Sequence, residues 1–283
     1  MALTINTNVY SLNAQRNLTT TQSQLANPLQ RLSSGLRINS AADDAAGLAI
    51  SERINSSVKG LNVAIRNAND AISLVQVADG TASKVTDNLQ RMRELAVQAA
   101  NGTYTSTDRA NIATEFTALQ SEITRIAQNT KFNNLALANS QAGSFSFQVG
   151  DKTSGDNQIS VTTSDLQAST LKVDSGSINV GNLAKASLGA SMARAAMDAI
   201  DSALNTLATT RAGFGAAINR TQAVVSNLQV AVENQSAARG RIVDADYAAE
   251  TASMTRLQIL QQAGTAILAQ ANAIPQQALK LLS

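Results

Sequence analysis

The sequence contains neither cysteine nor histidine. Disulfides, thiolate and imidazole metal ligands, cysteine nucleophiles and histidine general bases are excluded together. The case for an enzyme is therefore weak, and no cofactor or metal is expected. Tryptophan is absent as well, and aromatics make up only 3% of a chain that is 44% apolar. The apolar share is mostly alanine and aliphatics, which favours long, closely packed helices over a bulky globular core. With two prolines among 283 residues, few segments are broken. No run reaches the roughly 18 apolar residues of a transmembrane helix. The opening "MALTINTNVYSLNAQRN" lacks the basic and apolar regions of a Sec signal peptide. A net charge of +2 is too small and too dispersed to argue for nucleic acid. Neither nucleic acid nor a membrane is an expected partner, whereas a near-neutral surface permits like chains to pack.

What is present is a 3–4 alternation of apolar positions, the seam of a helix packed along its length. It reads Leu61, Ile65, Ala68, Ile72, Val75, slips in phase, and continues Ala78, Ala82, Val85, Leu89, Met92, Ala96, Ala99. Asn101-Gly102 is a helix C-terminal signal. Ser40 with Asp43 and Asp44 reads as the start, a cap plus carboxylates at the positive helix end. Metal or acid–base chemistry is the lesser reading of that aspartate pair, whose side chains diverge by about 100° on a helix. A shorter helix carries Ile112, Phe116, Leu119, Ile123 and Ile126, with Ser106 or Thr107 as its cap. A third carries Met197, Ile200, Leu204, Leu207, Arg211, Phe214, Ile218, Thr221, Val225, Leu228 and Val232.

Residues 131–190 differ. Phe145, Phe147 and Val149 alternate with polar residues, as do Ile159 with Val161, Leu171 with Val173, and Ile178 with Val180. "GDKTSGDNQ" and "DSGS" between them are turn material, so short β-hairpins are expected. The fold class is mainly α: a long antiparallel helical bundle or coiled coil with a small β-hairpin region and both termini helical.

The ends raise the functional question. The tail "RLQILQQAGTAILAQANAIPQQALKLLS" has Lys280 as its only charge after Arg256. Its register is Leu257, Leu260, Gly264, Ile267, Ala271, Ile274, Ala278, Leu281. The opposite end reads Leu18, Gln22, Leu25, Leu29, Leu32, Leu36, with Ile5, Val9 and Leu12 on a shifted stripe. The two ends are expected to pair and to leave apolar faces for other chains. By themselves such seams are more often intramolecular core than assembly surfaces.

Three blocks go further. "LQRLSSGLRINSAADDAAGLAISERI" from Leu29, "LQRMRELAVQAANGT" from Leu89 and "ARGRIVDADYAAETASMTRLQILQQAGTAILAQAN" from Ala238 closely resemble the signatures of bacterial flagellin, in the family's order. The resemblance covers about residues 1–140 and 190–283. It implies a structural subunit that self-assembles into the helical flagellar filament, the propeller of swimming motility, and so an extracellular location. It implies an inner D0 region of paired chain ends and a surrounding D1 region, here without larger outer domains. The corresponding divisions are 1–42 (N-terminal D0 helix and connector), 43–190 (D1 N-terminal helices and hairpin region), 191–242 (D1 C-terminal helix) and 243–283 (D0 C-terminal helix). Implied partners are other copies of the subunit, a flagellar export chaperone on the C-terminal arm, the filament cap and the hook-associated proteins, with export unfolded through the flagellar type III apparatus. Leu18, Leu25, Leu29, Leu32, Leu257, Leu260, Gly264, Ile267, Ala271, Ile274 and Leu281 are the expected assembly seam.

The same resemblance matches Arg91, Leu95 and Glu115 to positions by which the Toll-like innate receptor for flagellin recognises some family members; an ordinary filament contact face is the other reading. Arg37 fits either an inter-subunit carboxylate pair or a solvated position. Serines and threonines within 139–182 are glycosylation candidates or plain loop residues. Pro28, in "LANPLQRL", departs from the family, which usually carries a small helix-compatible residue there. Either it interrupts a helix at a cost of about 3 kcal/mol, or Asn27 caps and Pro28 opens a new stretch. A kink or break near Asn27 is expected both ways. A hook–filament junction protein is the alternative of related fold, and a chemoreceptor signalling hairpin or an enzyme the alternatives of different class. The metalloprotease insert of some flagellins needs two histidines, which this chain lacks.

Overall fold

The computed structural model describes residues 7–178 and 189–280, with side chains described up to residue 273. Ile5, Val180 and Leu281, and the side chains of Ile274, Pro275 and Ala278, lie outside that description. Among the described residues, five α-helices and two small hairpins follow in order: α1 (Val9–Ser34), α2 (Ala45–Ala100), α3 (Ser106–Asn129), β1 (Lys131–Phe132), β2 (Leu135–Ala136), β3 (Ser144–Gln148), β4 (Gln158–Thr162), α4 (Gly189–Val243) and α5 (Tyr247–Lys280). The chain divides into two compact units, residues 1–58 with 233–283, and residues 59–232.

In the first unit α1 and α5 lie antiparallel. Asn8 Nδ2 donates to the Ala271 carbonyl at 2.8 Å, and at the far end Arg31 pairs with Glu250 at 2.9 Å. Asn8 also caps α1, its side chain accepting the Ser11 N–H. Gly35 ends α1 in the left-handed conformation (φ +71°), where a side chain would be strained, and its N–H returns to the Arg31 carbonyl. The helix does not stop at Asn27: it continues through Pro28, which is buried inside it. A short antiparallel clasp follows. Arg37 N–H donates to the Val243 carbonyl at 2.7 Å, and Ala245 N–H donates to Gly35 at 3.0 Å.

The start of α2 falls later than the sequence suggests. Asp44 is its cap, accepting the Gly47 N–H at 2.9 Å. Asp43 instead turns back and accepts the N–H groups of Asn39 and Ser40 and the Ser40 hydroxyl. The Asn39 N–H leads the causes that hold its carboxyl below the ordinary aspartate value. Ser40 is thus a turn residue, not the cap. The cap of α3 is likewise neither Ser106 nor Thr107 but Thr105, in a reciprocal capping box with Asp108.

In the second unit α2 runs antiparallel to both α3 and α4. Arg93 forks onto Asp201 at 2.7 and 3.2 Å, and Arg211 meets Asp79 at 2.8 Å. Thr81 and Thr130 touch at 3.2 Å. Buried Arg109 donates to the Ala99 and Asn101 carbonyls, both at 3.0 Å, and so caps the end of α2 from α3. The core gathers Leu89, Met92, Phe116, Ile123, Ile200 and Leu207.

The α2 seam has no phase slip. Leu61, Ala64, Ala68, Ala71, Val75, Ala78, Ala82, Val85, Leu89, Met92, Ala96 and Ala99 are buried in an unbroken 3–4 alternation, with Leu74, Thr81 and Leu95 buried beside them. Ala64 and Ala71 take the places assigned to Ile65 and Ile72, which are only half-buried. Helix α4 repeats the pattern, burying Ala196 and Ala203 where Met197 and Leu204 were expected.

The strands β3 and β4 form the expected hairpin, with Phe145 opposite Val161 and Phe147 opposite Ile159. The β1–β2 hairpin was not anticipated. Its turn is Asn133-Asn134, both at positive φ (46° and 64°), a conformation asparagine tolerates better than most residues. Leu171 and Val173 are buried but belong to turns rather than a strand, because Lys172 between them sits at φ +56°.

Candidate assembly surface

The α1–α5 pair carries most of the residues that the sequence singles out, and it sorts them into two faces. Along α1 the less exposed positions are Ser11, Ala14, Leu18, Thr21, Leu25, Pro28 and Leu32, with Arg31 beside them. Along α5 they are Glu250, Met254, Leu257, Gln261, Gly264, Leu268 and Ala271, with Ser253 beside them. Both lists step by three and four residues, the spacing of two helices packed along their length. The contact is close: a Cβ at Gly264 would stand 3.3 Å from Leu18 Cδ1. Leu18, Leu25, Leu32, Leu257, Gly264 and Ala271 therefore lie on the internal seam.

Leu29, Leu260 and Ile267 do not. They remain 47%, 50% and 58% exposed. Ile259 and Tyr247, which the sequence reading did not single out, are also exposed, as are Val9, Tyr10 and Leu12 on α1. On α5, Tyr247, Ala248, Thr251, Thr255, Ile259 and Leu260 line a shallow, mostly apolar strip. Leu260 also borders a second groove with Gln24, Asn27 and Pro28, and Ile267 a third with Tyr10, Asn13 and Asn17. Leu29, Leu260, Ile259 and Ile267 thus stand outside, while Ala14, Thr21, Gly264 and Ala271 share the seam between the helices with Leu18, Leu25, Leu32, Leu257 and Leu268. Arg31 and Glu250 were also missed, and a charged pair spanning 219 residues leaves no local signal in the sequence.

Other singled-out residues fall elsewhere. Arg37 is exposed and donates to the Ile242 carbonyl at 2.6 Å, an intramolecular bond at a solvated position. Arg91 pairs with Glu115 at 2.8 Å and Glu94 at 2.9 Å, and the Glu115 hydrogen bond leads the causes that raise its pKa. Those three side chains are exposed, but Leu95 is 2% exposed and faces the core. Among the described residues no group of three or more acidic side chains is placed to hold a metal, and no helix is long and apolar enough to cross a membrane.

Known proteins share this arrangement. The family model of the bacterial flagellin N-terminal helical region matches residues 5–142, and that of the C-terminal helical region matches residues 197–282. The chain belongs to the bacterial flagellin family. A flagellin of Halalkalibacterium halodurans is 42% identical over 98% of this chain and 99% of its own length. The flagellar filament 33 kDa core protein of Treponema phagedenis is 39% identical over the same shares, and a flagellin of Xenorhabdus nematophila is 41% identical over the whole of both chains. A putative flagellar hook-associated protein from Vibrio parahaemolyticus superposes with a TM-score of 0.62 over 71% of this chain and all of its own; at 13% identity it speaks for the fold alone. As a flagellin, the chain is a structural subunit of the flagellar filament.

Proposed function

We propose that this flagellin polymerises by inserting the exposed apolar strip of α5, with Leu29 and the Val9–Leu12 segment of α1, against different surfaces of neighbouring copies. A contact between unlike surfaces does not close on itself, so subunits add without limit along a helical lattice. The α1–α5 pair and its clasp correspond to the D0 region, and residues 59–232 supply D1. The observation that carries this reading is the exposure of Leu260 and Ile267 on a helix whose other face is already satisfied by α1. Each would contribute roughly 1.5–3 kcal/mol on complete burial.

The remaining roles follow from filament assembly. The subunit acts outside the cell and catalyses nothing. An export chaperone covers the apolar C-terminal arm before assembly, and the cap and hook-associated proteins meet the same faces at the two filament ends. A Toll-like receptor would engage Arg91 and Glu115, with Leu95 contributing through the helix packing behind them. Seeded polymerisation tests the central claim. The intact chain, added to short filament seeds at neutral pH, grows long tubular filaments, and a copy ending at Arg256 does not. Soluble protein in both samples would favour a junction protein instead.

A further inference from the structure

The turn between α2 and α3 holds the chain's one Asn-Gly step, Asn101-Gly102. Asn101 lies one residue beyond the end of α2, and Asn101, Gly102 and Thr103 are all exposed. The Thr103 N–H donates to Asn101 Oδ1 at 3.3 Å. That bond folds the side chain forward, and the Gly102 nitrogen lies inside the ring it closes. Gly102 has no Cβ to crowd its nitrogen, and a Cβ built there meets nothing within 4 Å. Among the described residues, no backbone carbonyl accepts its N–H. An unhindered amide nitrogen thus stands beside an amide carbon in a turn whose last helix-type backbone bond is the Asn101 N–H to the Gln98 carbonyl at 3.2 Å, which leaves the Gly102 nitrogen untied.

We propose that Asn101 is a site of spontaneous deamidation and isoaspartate formation in the folded protein. The Gly102 nitrogen attacks Asn101 Cγ, and its proton passes to solvent. The N–Cγ bond forms, the Cγ–Nδ2 bond breaks, and ammonia leaves with a proton from water. The product is a five-membered succinimide. Water then opens the ring. Cleavage of the new N–Cγ bond leaves an aspartate at position 101. Cleavage of the original peptide bond leaves isoaspartate, with the main chain rerouted through Cβ and the former peptide carbonyl now a free carboxylate.

Arg109 makes the second opening favourable. Its buried guanidinium already donates to the Asn101 carbonyl at 3.0 Å, the atom that becomes that carboxylate. The new charge sits at the C-terminal end of α2, where the helix dipole disfavours an anion, and the guanidinium offsets it. Two other steps in the chain act as internal comparisons. Asn139 closes the same kind of ring, the Gln141 N–H donating to its Oδ1 at 2.9 Å, but Ser140 crowds the attacking nitrogen. Asp79-Gly80 lies within α2, where helical geometry holds nitrogen and carbonyl carbon apart, and its carboxylate is engaged by Arg211.

The test uses the intact chain, incubated folded at neutral and at alkaline pH and then mapped by peptide mass spectrometry with enzymatic isoaspartate detection. The expected result is a gain of about one dalton at position 101, faster at the higher pH and several-fold faster than at Asn139. Isoaspartate should predominate. Gly102→Ala should suppress the reaction; it fits the fold, because the position is open and its φ is not positive. Equal rates at Asn101 and Asn139 would overturn the proposal. So would an intact Asn101 in the folded chain over a time in which the urea-unfolded chain converts it, because the turn would then be protective.

Discussion

Replacing Leu260 and Ile267 together by alanine separates assembly from folding. Both side chains are half or more exposed in the single chain, at 50% and 58%. Their truncation removes little that the monomer buries, and alanine keeps the helix propensity high, so the folded subunit should lose less than about 0.5 kcal/mol. On the proposed assembly contact, the exposed half of each side chain would become buried in the filament. Half of the usual burial value is about 1 kcal/mol per residue, or roughly 2 kcal/mol for the pair. At 1.4 kcal/mol per factor of ten, the critical concentration for growth should rise roughly 30-fold. Sedimentation of seeded reactions over a concentration series measures it, and thermal unfolding of the monomer supplies the control. An unchanged critical concentration with an unchanged monomer would refute the assignment of this face to subunit contacts. A large fall in monomer stability would show that the two side chains belong to the intramolecular core.

Four further outcomes follow from named contacts. Arg109→Ala should cost about 2–4 kcal/mol in urea unfolding, because two carbonyls at the end of α2 lose a buried charged donor; Arg109→Lys should not restore it, lacking the fork that reaches both. Gly264→Leu should drive α1 and α5 apart, since even a Cβ stands 3.3 Å from Leu18, and limited proteolysis should then cut both terminal arms while leaving residues 59–232 intact. Pro28→Ala returns a backbone donor to α1 but gives up a buried ring, and the balance should be a gain of roughly 1–2 kcal/mol in chemical unfolding. The Arg93 hydrogen bond holds Asp201 below its ordinary value of 3.8, and the Thr105 side chain does the same for Asp108. A carboxyl lowered on folding stabilises fully above that value and loses its contribution as pH falls from there through the lowered one. An acid titration followed by circular dichroism should therefore show stability flat above about pH 5 and falling below 4, with Asp201→Asn flattening part of the fall.

The helices, their order and the β3–β4 hairpin were legible because long 3.6-residue and short two-residue periodicities need no distant information. Their ends were less so. Thr105 rather than Ser106 caps α3, and Asp44 rather than Ser40 caps α2, because neighbouring polar residues compete and only the backbone path decides between them. The β1–β2 turn was hidden because it rests on two consecutive asparagines at positive φ, with strands of two residues each. Register was the systematic error. Reading Leu257, Leu260, Gly264, Ile267, Ala271 as one seam followed hydrophobicity. The paired helix uses Gln261 and Leu268 in place of Leu260 and Ile267.

In α1, α2 and α4 that error has one physical cause. Ala64 and Ala71 displace Ile65 and Ile72 in α2, Ala196 and Ala203 displace Met197 and Leu204 in α4, and Thr21 and Pro28 displace Gln22 and Leu29 in α1. Where helices pack along their length, small residues let the backbones approach and need no ordering of long side chains. An isolated globular protein would then place polar residues on the next position round. In residues 59–232 the displaced Ile65, Ile72, Met197 and Leu204 become half-buried flanks of the same seam. In the α1–α5 pair Leu29, Leu260 and Ile267 gain no such cover. The same substitution rule therefore completes a core in one unit and leaves an unfinished apolar surface in the other. A polymerising subunit requires that difference, because its terminal helices must hold together in one chain and still retain apolar area for the next.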